Sequence, residues 1–105
     1  MIITFEKDYL REIYQTGKTA DKKHRFQPSI IRKYIRIIDI MINQPNVLAL
    51  KKFNALNYEK MKGDMNGLSS VRVNDQYRIE FEEETIDEHT IATICNITEL
   101  SKHYK

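Results

Sequence analysis

Two arginines and a lysine near the middle of the chain have the types and spacing needed to bind a phosphate. Lys62 opens a short glycine-containing loop, and Arg72 and Arg78 follow it in segments where apolar and polar residues alternate. Such alternation is typical of strands that have one buried face. The sequence therefore predicts a β-hairpin beside a cationic loop.

The length of the hairpin loop decides where the two arginines lie. A three-residue loop, Asn74 to Gln76, pairs Val73 with Tyr77 and leaves one face of the hairpin apolar. The same register places Arg72 directly opposite Arg78. Because opposed like charges destabilise a sheet, this arrangement makes most sense if an anion lies between them.

A second interpretation needs no ligand at the hairpin. Each arginine could pair with an acid close to it in sequence, such as Asp75 or Glu80. The sequence leaves both interpretations open.

The composition predicts a single soluble domain over residues 1–105. Charged residues make up 30% and hydrophobic residues 41%, which suits an ordered globular protein. Residues 1–10 lack the apolar region of a signal peptide, and no apolar run reaches membrane-spanning length. We expect a cytoplasmic protein whose one cysteine, Cys95, is buried and unreactive.

The net charge of +2 hides an uneven distribution along the chain. Basic residues dominate residues 1–78, and acidic residues dominate residues 79–105. The basic part suits contact with phosphate, whereas the acidic run between Glu80 and Glu88 is interpreted as solvated surface.

The predicted fold class is α+β, with a short N-terminal strand and two helices packed on one face of an antiparallel β-sheet. The other face of the sheet is expected to be open. The predicted elements are a strand at Met1–Phe5, helices at Asp8–Tyr14 and Pro28–Asn43, a brief strand at Tyr58–Met61, the hairpin, and a last strand at Thr90–Thr98.

Three segments connect or follow these elements. Gly17–Gln27 is predicted to be a mobile basic loop, and Glu99–Lys105 a tail that crosses back over the sheet. The segment after the second helix is expected to add four residues to the core, namely Leu48, Leu50, Phe53 and Leu56.

Most catalytic classes find no support in the motifs. The three histidines lie in separate loops without the spacing of metal ligands, and no phosphate-binding or dinucleotide-binding fingerprint occurs. We therefore expect no metal and no cofactor. Metal-free cleavage of an RNA phosphodiester fits the residues that are left.

That chemistry needs stabilisation of charge on the phosphate and transfer of protons. Fixed cations supply the first, and a histidine or a lysine with a lowered pKa can supply the second. Aromatic side chains can stack on bases. The candidates are Lys60, Lys62, Arg72 and Arg78 as cations, His103 for proton transfer, and Tyr58 and Tyr104 for stacking.

The central segment resembles a known family. Lys62-Gly-Asp-Met-Asn-Gly67, followed by Ser70-Val-Arg-Val-Asn-Asp-Gln-Tyr-Arg-Ile-Glu-Phe81, is similar to the HigB-like branch of the RelE/ParE toxins of bacterial type II toxin–antitoxin systems. The resemblance implies a RelE-like fold and a toxin that cleaves mRNA in the ribosomal A site without a metal. It implies neutralisation by a helix-turn-helix, HigA-like antitoxin, with operator DNA bound only through that antitoxin.

The resemblance also assigns roles to residues. It implies that Lys62 and Arg78 bind or act on the phosphate, with Arg72 as the next candidate. The chain departs from the family where some members have a histidine and it has Glu59, and where many have Asp-Tyr-His and it has Glu99-Leu-Ser101. We therefore assign proton transfer to His103, with Glu99 and Lys62 as substitutes.

Two other functions remain open at this point. One is a non-enzymatic toxin that binds DNA gyrase, as some ParE-like relatives of this superfold do. The other is a degenerate toxin that binds only its antitoxin.

Overall fold

Two helices cover one face of a five-stranded sheet in this computed structural model, which describes residues 1–62, 67–85 and 91–102. The elements are β1 (Ile2–Phe5), α1 (Asp8–Thr16), α2 (Pro28–Ile42), two 3₁₀ helices (Val47–Lys52 and Asn54–Leu56), β2 (Glu59–Lys60), β3 (Leu68–Arg72), β4 (Tyr77–Glu84) and β5 (Ile94–Lys102). The strand order across the sheet is β1-β5-β4-β3-β2.

Local sequence signals set the ends of both helices, close to where they were predicted. Gly17 ends α1 because it adopts a left-handed conformation, with φ of 74°, that glycine tolerates best. Pro28 begins α2, where its missing N–H costs no hydrogen bond. Inside the helix layer, the hydroxyl of fully buried Tyr34 donates to the carbonyl of Leu10 at 2.9 Å and ties α2 to α1.

The hairpin register is the predicted one. Val71 pairs with Ile79 and Arg72 pairs with Arg78 across the antiparallel β3–β4 ladder. The side chain of Asn74 accepts hydrogen bonds at 2.8 Å from the backbone N–H groups of both Gln76 and Tyr77, which closes the three-residue loop. Val71 and Ile79 are fully buried against the helices, so the arginines point to the opposite face.

Two predictions about the sheet are corrected by the strand pairing. β1 runs parallel to β5, so the sheet is mixed rather than wholly antiparallel. β5 spans Ile94–Lys102, so residues 91–93 of the predicted strand are not part of it, and Thr90 lies outside the described residues. Residues 99–102 continue the sheet instead of crossing back over it. The apolar run marked only the first part of this strand, because an irregular register at Glu80/Phe81 breaks the alternation in the second part.

The core contains most of the predicted residues. Leu50 and Leu56 are buried, and Phe53 packs against the core, but Leu48 is exposed and was wrongly placed inside. Cys95 is fully buried, and desolvation raises the pKa of its thiol to about 12. Within the described residues, no helix is both long and apolar enough to cross a membrane.

The α1–α2 loop, which was predicted to be mobile and basic, makes two ring contacts with the rest of the protein. The ring of His24 stacks on Tyr9 with centroids 3.7 Å apart, and His24 Nδ1 lies 2.8 Å from a carboxylate oxygen of Asp21. Phe26 meets the ring of Tyr77 edge-on at 5.7 Å. Sequence alone does not give these contacts, because both partners are distant along the chain.

Glu99, a residue of β5, links this strand to the start of α1. Its carboxylate accepts hydrogen bonds from the ammonium group of Lys7 at 2.6 Å and from the hydroxyl of Tyr9. Partial burial opposes ionisation of Glu99, but these two hydrogen bonds outweigh it and keep the pKa of the carboxyl below its usual value. Burial and the hydrogen bond to Glu99 together raise the pKa of Tyr9.

Replacing Tyr34 by phenylalanine is expected to destabilise the protein by about 1 kcal/mol, because it removes one buried hydrogen bond while keeping the ring. The matched control is Tyr14→Phe, whose hydroxyl donates to Asp39 at an exposed position and whose loss should cost less. Urea unfolding of the three proteins measures both effects. Equal losses in the two variants would contradict the structural role given to the Tyr34 hydroxyl.

The lowered pKa of Glu99 predicts a pH-dependent contribution to stability. A carboxyl whose pKa is lower when folded stabilises the protein above its unfolded pKa, and this contribution is lost as the pH falls through the folded pKa. Glu99→Gln should therefore be less stable than the wild type near pH 7, with the gap narrowing at about pH 3. Urea unfolding at both pH values, with Glu84→Gln as the control for a lost charge, tests this. A gap that does not change with pH would contradict it.

Candidate phosphate-binding site

Arg72 and Arg78 lie side by side on the face of the sheet that turns away from the helices. They are direct partners across the β3–β4 ladder. Each is also paired with an acid, Arg72 with Asp75 and Arg78 with Glu80, as the second interpretation of the sequence expected. The two ion pairs differ in burial, and this difference decides what each arginine can do.

The pair formed by Arg72 is exposed to solvent. Its guanidinium donates to the carboxylate of Asp75, three residues further on, and the two side chains are 45% and 81% exposed. Ion pairs of this kind contribute at most about 1 kcal/mol, because water screens them. A phosphate that approaches Arg72 can therefore replace Asp75 at little cost.

The pair formed by Arg78 is largely enclosed. Arg78 Nε donates to a carboxylate oxygen of Glu80 at 2.9 Å, and the side chain of Glu80 is only 7% exposed. The hydroxyl of Ser101 on β5 donates to the same oxygen at 2.7 Å. Arg78 itself keeps 23% of its side chain exposed.

A pocket of about 220 Å³ lies beside these arginines. It is open to solvent and has room for a phosphate with part of its sugar. Three hairpin residues, a serine of β3 and two residues around the start of β2 complete its wall. The lining residues are Asn57, Glu59, Ser70, Arg72, Asn74, Asp75, Tyr77 and Arg78.

Two of the predicted RNA-contacting residues lie elsewhere. Lys60 pairs with Ser69, whose hydroxyl bonds Glu83, and Lys60 lines a second pocket of about 360 Å³. The ring of Tyr58 lies against Phe81 at 6.3 Å, and its hydroxyl donates to Glu83. One side of the Tyr58 ring and its hydroxyl are therefore already in contact with the protein.

Of the predicted proton-transfer groups, the two within the described residues, Glu99 and Lys62, do not line the pocket. His103 lies outside the described residues, as does Tyr104. Glu99 is bound to Lys7 and Tyr9 and does not line the pocket. Lys62 is exposed just beyond β2 and is also absent from the pocket lining.

Glu59 is a candidate that sequence reasoning did not select. It is exposed on β2, pairs with Ser70, and lines the same pocket as the two arginines. The other carboxylate in the lining, Asp75, is held by Arg72. A strand of two residues gives no periodic signal, so the sequence did not reveal which face Glu59 occupies.

Comparison with known sequences gives a consistent match. A family model described as the RelE-like toxin of type II toxin-antitoxin system HigB matches residues 3–94. Toxin HigB-1 from Vibrio cholerae serotype O1 is 30% identical over 83 residues, which cover 78% of this chain and 83% of that protein.

Solved structures share the fold at low sequence identity. A mutant of YafQ from E. coli aligns with a TM-score of 0.57 and 12% identity, over 95% of this chain and 90% of that chain. The YoeB/ParE toxin from Agrobacterium tumefaciens aligns with a TM-score of 0.55 and 16% identity, over 99% of this chain and 100% of that chain. A chain of the YoeB–YefM complex from Staphylococcus aureus aligns with a TM-score of 0.50 and 18% identity, over 99% of this chain and 98% of that chain. With an α+β fold of this kind and a family match over most of its length, this chain belongs to the HigB family of RelE-like toxins from type II toxin–antitoxin systems.

Proposed function

We propose that this toxin is a ribosome-dependent endoribonuclease that cleaves mRNA in the ribosomal A site, and that the pocket beside Arg72 and Arg78 holds the scissile phosphate. The observation that carries the proposal is the direct pairing of these two arginines across the hairpin. Family membership supports it, because the resemblance noted in the sequence implies this activity.

The reaction would be an internal transfer of the phosphate. The 2′-oxygen attacks the neighbouring phosphorus, the bond to the 5′-oxygen breaks, and a 2′,3′-cyclic phosphate forms. Arg72 and Arg78 would neutralise the extra negative charge that develops on the phosphate oxygens.

Two proton transfers complete the reaction. Glu59 would accept the proton from the 2′-hydroxyl, a role supported by its exposed position in the lining of the pocket. His103 remains the proposed donor to the leaving 5′-oxygen. Lys62 is proposed to contact a flanking phosphate, since it follows β2 at the edge of the sheet.

A cognate antitoxin is the proposed partner. The S. aureus structure that shares this fold is a YoeB–YefM toxin–antitoxin complex, which supports a similar partnership here. We propose a helix-turn-helix antitoxin that blocks the activity and contacts operator DNA.

A binder without nuclease activity is the alternative that the two ion pairs favour. Arg72 and Arg78 both have acidic partners in the free protein, which a purely structural hairpin would also have. DNA breaks with intact mRNA after expression would indicate a gyrase-binding toxin. Harmless expression without any antitoxin would indicate a degenerate one.

Arg72→Lys and Arg78→Lys are each expected to lower the cleavage rate by about 10²-fold, because lysine keeps the charge but lacks the planar fork that fits a phosphate. Mapping mRNA ends after incubation with programmed ribosomes measures the rate. Arg36→Lys on the exposed side of α2 is the matched control and should cleave like the wild type. Wild-type cleavage by both site variants would refute the assignment of the pocket.

Glu59→Gln should lower the cleavage rate by about 10²-fold or more, because glutamine cannot accept the proton. The control is Glu84→Gln, which replaces an exposed glutamate at the end of β4 and should cleave like the wild type. Single-turnover cleavage rates on programmed ribosomes provide the comparison. A wild-type rate in Glu59→Gln would exclude Glu59 as the proton acceptor.

A further inference from the structure

Glu80 is an unusual residue for the open face of a sheet. Its neighbours on the same strand and face, Arg78 and Glu82, retain solvent exposure, yet Glu80 is only 5% exposed. Removing a carboxylate from water is costly unless charged and hydrogen-bonding groups surround it. The contacts of Glu80 therefore indicate what its burial stabilises.

Those contacts converge on Arg78 and β5. One oxygen of Glu80 accepts from both Arg78 Nε and the hydroxyl of Ser101, at 2.9 and 2.7 Å. Ser101 is also the direct strand partner of Arg78, so the three side chains form a compact group across β4 and β5. The hydroxyl of Thr98 donates at 3.1 Å to the backbone carbonyl of Glu80 and fixes its main chain at the irregular register.

Because of this group, Arg78 is held more firmly by its acidic partner than Arg72 is by Asp75. Arg72 is held by an exposed aspartate on a loop, whereas Arg78 is held by a buried carboxylate on a strand. A charge-assisted bond in a low-dielectric site is stronger and better aligned than a screened surface pair. Arg78 therefore has a fixed guanidinium, and Arg72 has one that can move to its ligand.

The negative charge of Glu80 also has a cost for ligand binding. It cancels the charge of Arg78 and weakens the attraction of the pocket for any anion. A residue that served only to attract RNA would not have this effect. The burial of Glu80 beside Arg78 is therefore better explained by a role in orienting the guanidinium than by a role in attracting RNA.

We propose that Glu80, together with Ser101, is a positioning residue that holds Arg78 in the orientation required by the reacting phosphate. This inference rests on the proposed function for its catalytic consequence. It assigns opposite effects to the same carboxylate, since Glu80 weakens binding of the substrate and accelerates its cleavage.

Kinetics on programmed ribosomes separate these two effects. Glu80→Gln should lower kcat about tenfold or more, because a small misplacement of a charge-stabilising group is costly, while KM stays equal or falls. Ser101→Ala should change kcat in the same direction by a smaller factor. Glu82→Gln removes the same charge two residues along the strand and should leave kcat unchanged. A kcat for Glu80→Gln within about twofold of wild type, or a loss caused by a higher KM, would overturn the proposal.

Nuclear magnetic resonance tests the same contact without relying on catalysis. The Arg78 Nε–H signal, assigned by its loss in Arg78→Lys, should exchange slowly with water in the wild type. In Glu80→Gln it should shift and exchange at least about tenfold faster, and in Glu82→Gln it should not change. Thermal unfolding verifies that each variant is folded, and Ser101→Ala supplies a second variant if Glu80→Gln is not. An unaltered Arg78 signal in both would overturn the proposal even if cleavage is observed. Absence of cleavage by the wild type would instead refute the proposed function, and the spectra would still decide whether Glu80 holds Arg78.

Discussion

The pairing of β3 with β4 determines where the two arginines of the candidate site lie. Because side chains alternate across a strand, a shift of one residue would bury the arginines and expose Val71 and Ile79. Two features prevent the shift. The apolar face of the hairpin packs against the helices, and the Asn74 side chain holds the loop at three residues by bonding two backbone N–H groups.

The open face that results has charges of both signs in a definite order. The arginines lie at the hairpin end, buried Glu80 follows, and exposed Glu82 and Glu84 lie towards the other end of β4. An anionic polymer is attracted to one end of this face and repelled from the other. The order of charges along a single strand thus gives the face a direction, which a uniformly basic surface would lack.

Residues with strong local signals allowed much of the fold to be predicted. The apolar pattern of α2, the glycine that ends α1 and the alternation around Arg72 and Arg78 each depend on neighbours in sequence, and each appears in the structure nearly as predicted. The limits of β5 were wrong because its irregular pairing at Glu80/Phe81 interrupts the alternation that marks a strand. The parallel pairing of β1 left no local signal.

The candidate site was harder to predict because its side chains contact residues that are distant in sequence. Sequence identified Arg72 and Arg78 but not the burial of Glu80, which depends on Ser101 from another strand. It grouped Lys60 and Tyr58 with the arginines, although the register of a two-residue strand places Lys60 with Ser69 and the ring of Tyr58 packs on Phe81. The positions of side chains around short strands are tertiary information, and composition and spacing do not contain it.

The parallel pairing of β1 with β5 affects how the protein folds during its synthesis. Thr4 and Asn96, joined by a side-chain hydrogen bond, are 92 residues apart in the chain. β1 therefore cannot pair with β5 until residues 94–97 have left the ribosomal exit tunnel. Folding that depends on contacts so distant in sequence is slow. A nascent chain of this toxin therefore cannot complete its sheet until residues 94–97 have been synthesised, and until then the edge of β1 that pairs with β5 has no strand partner.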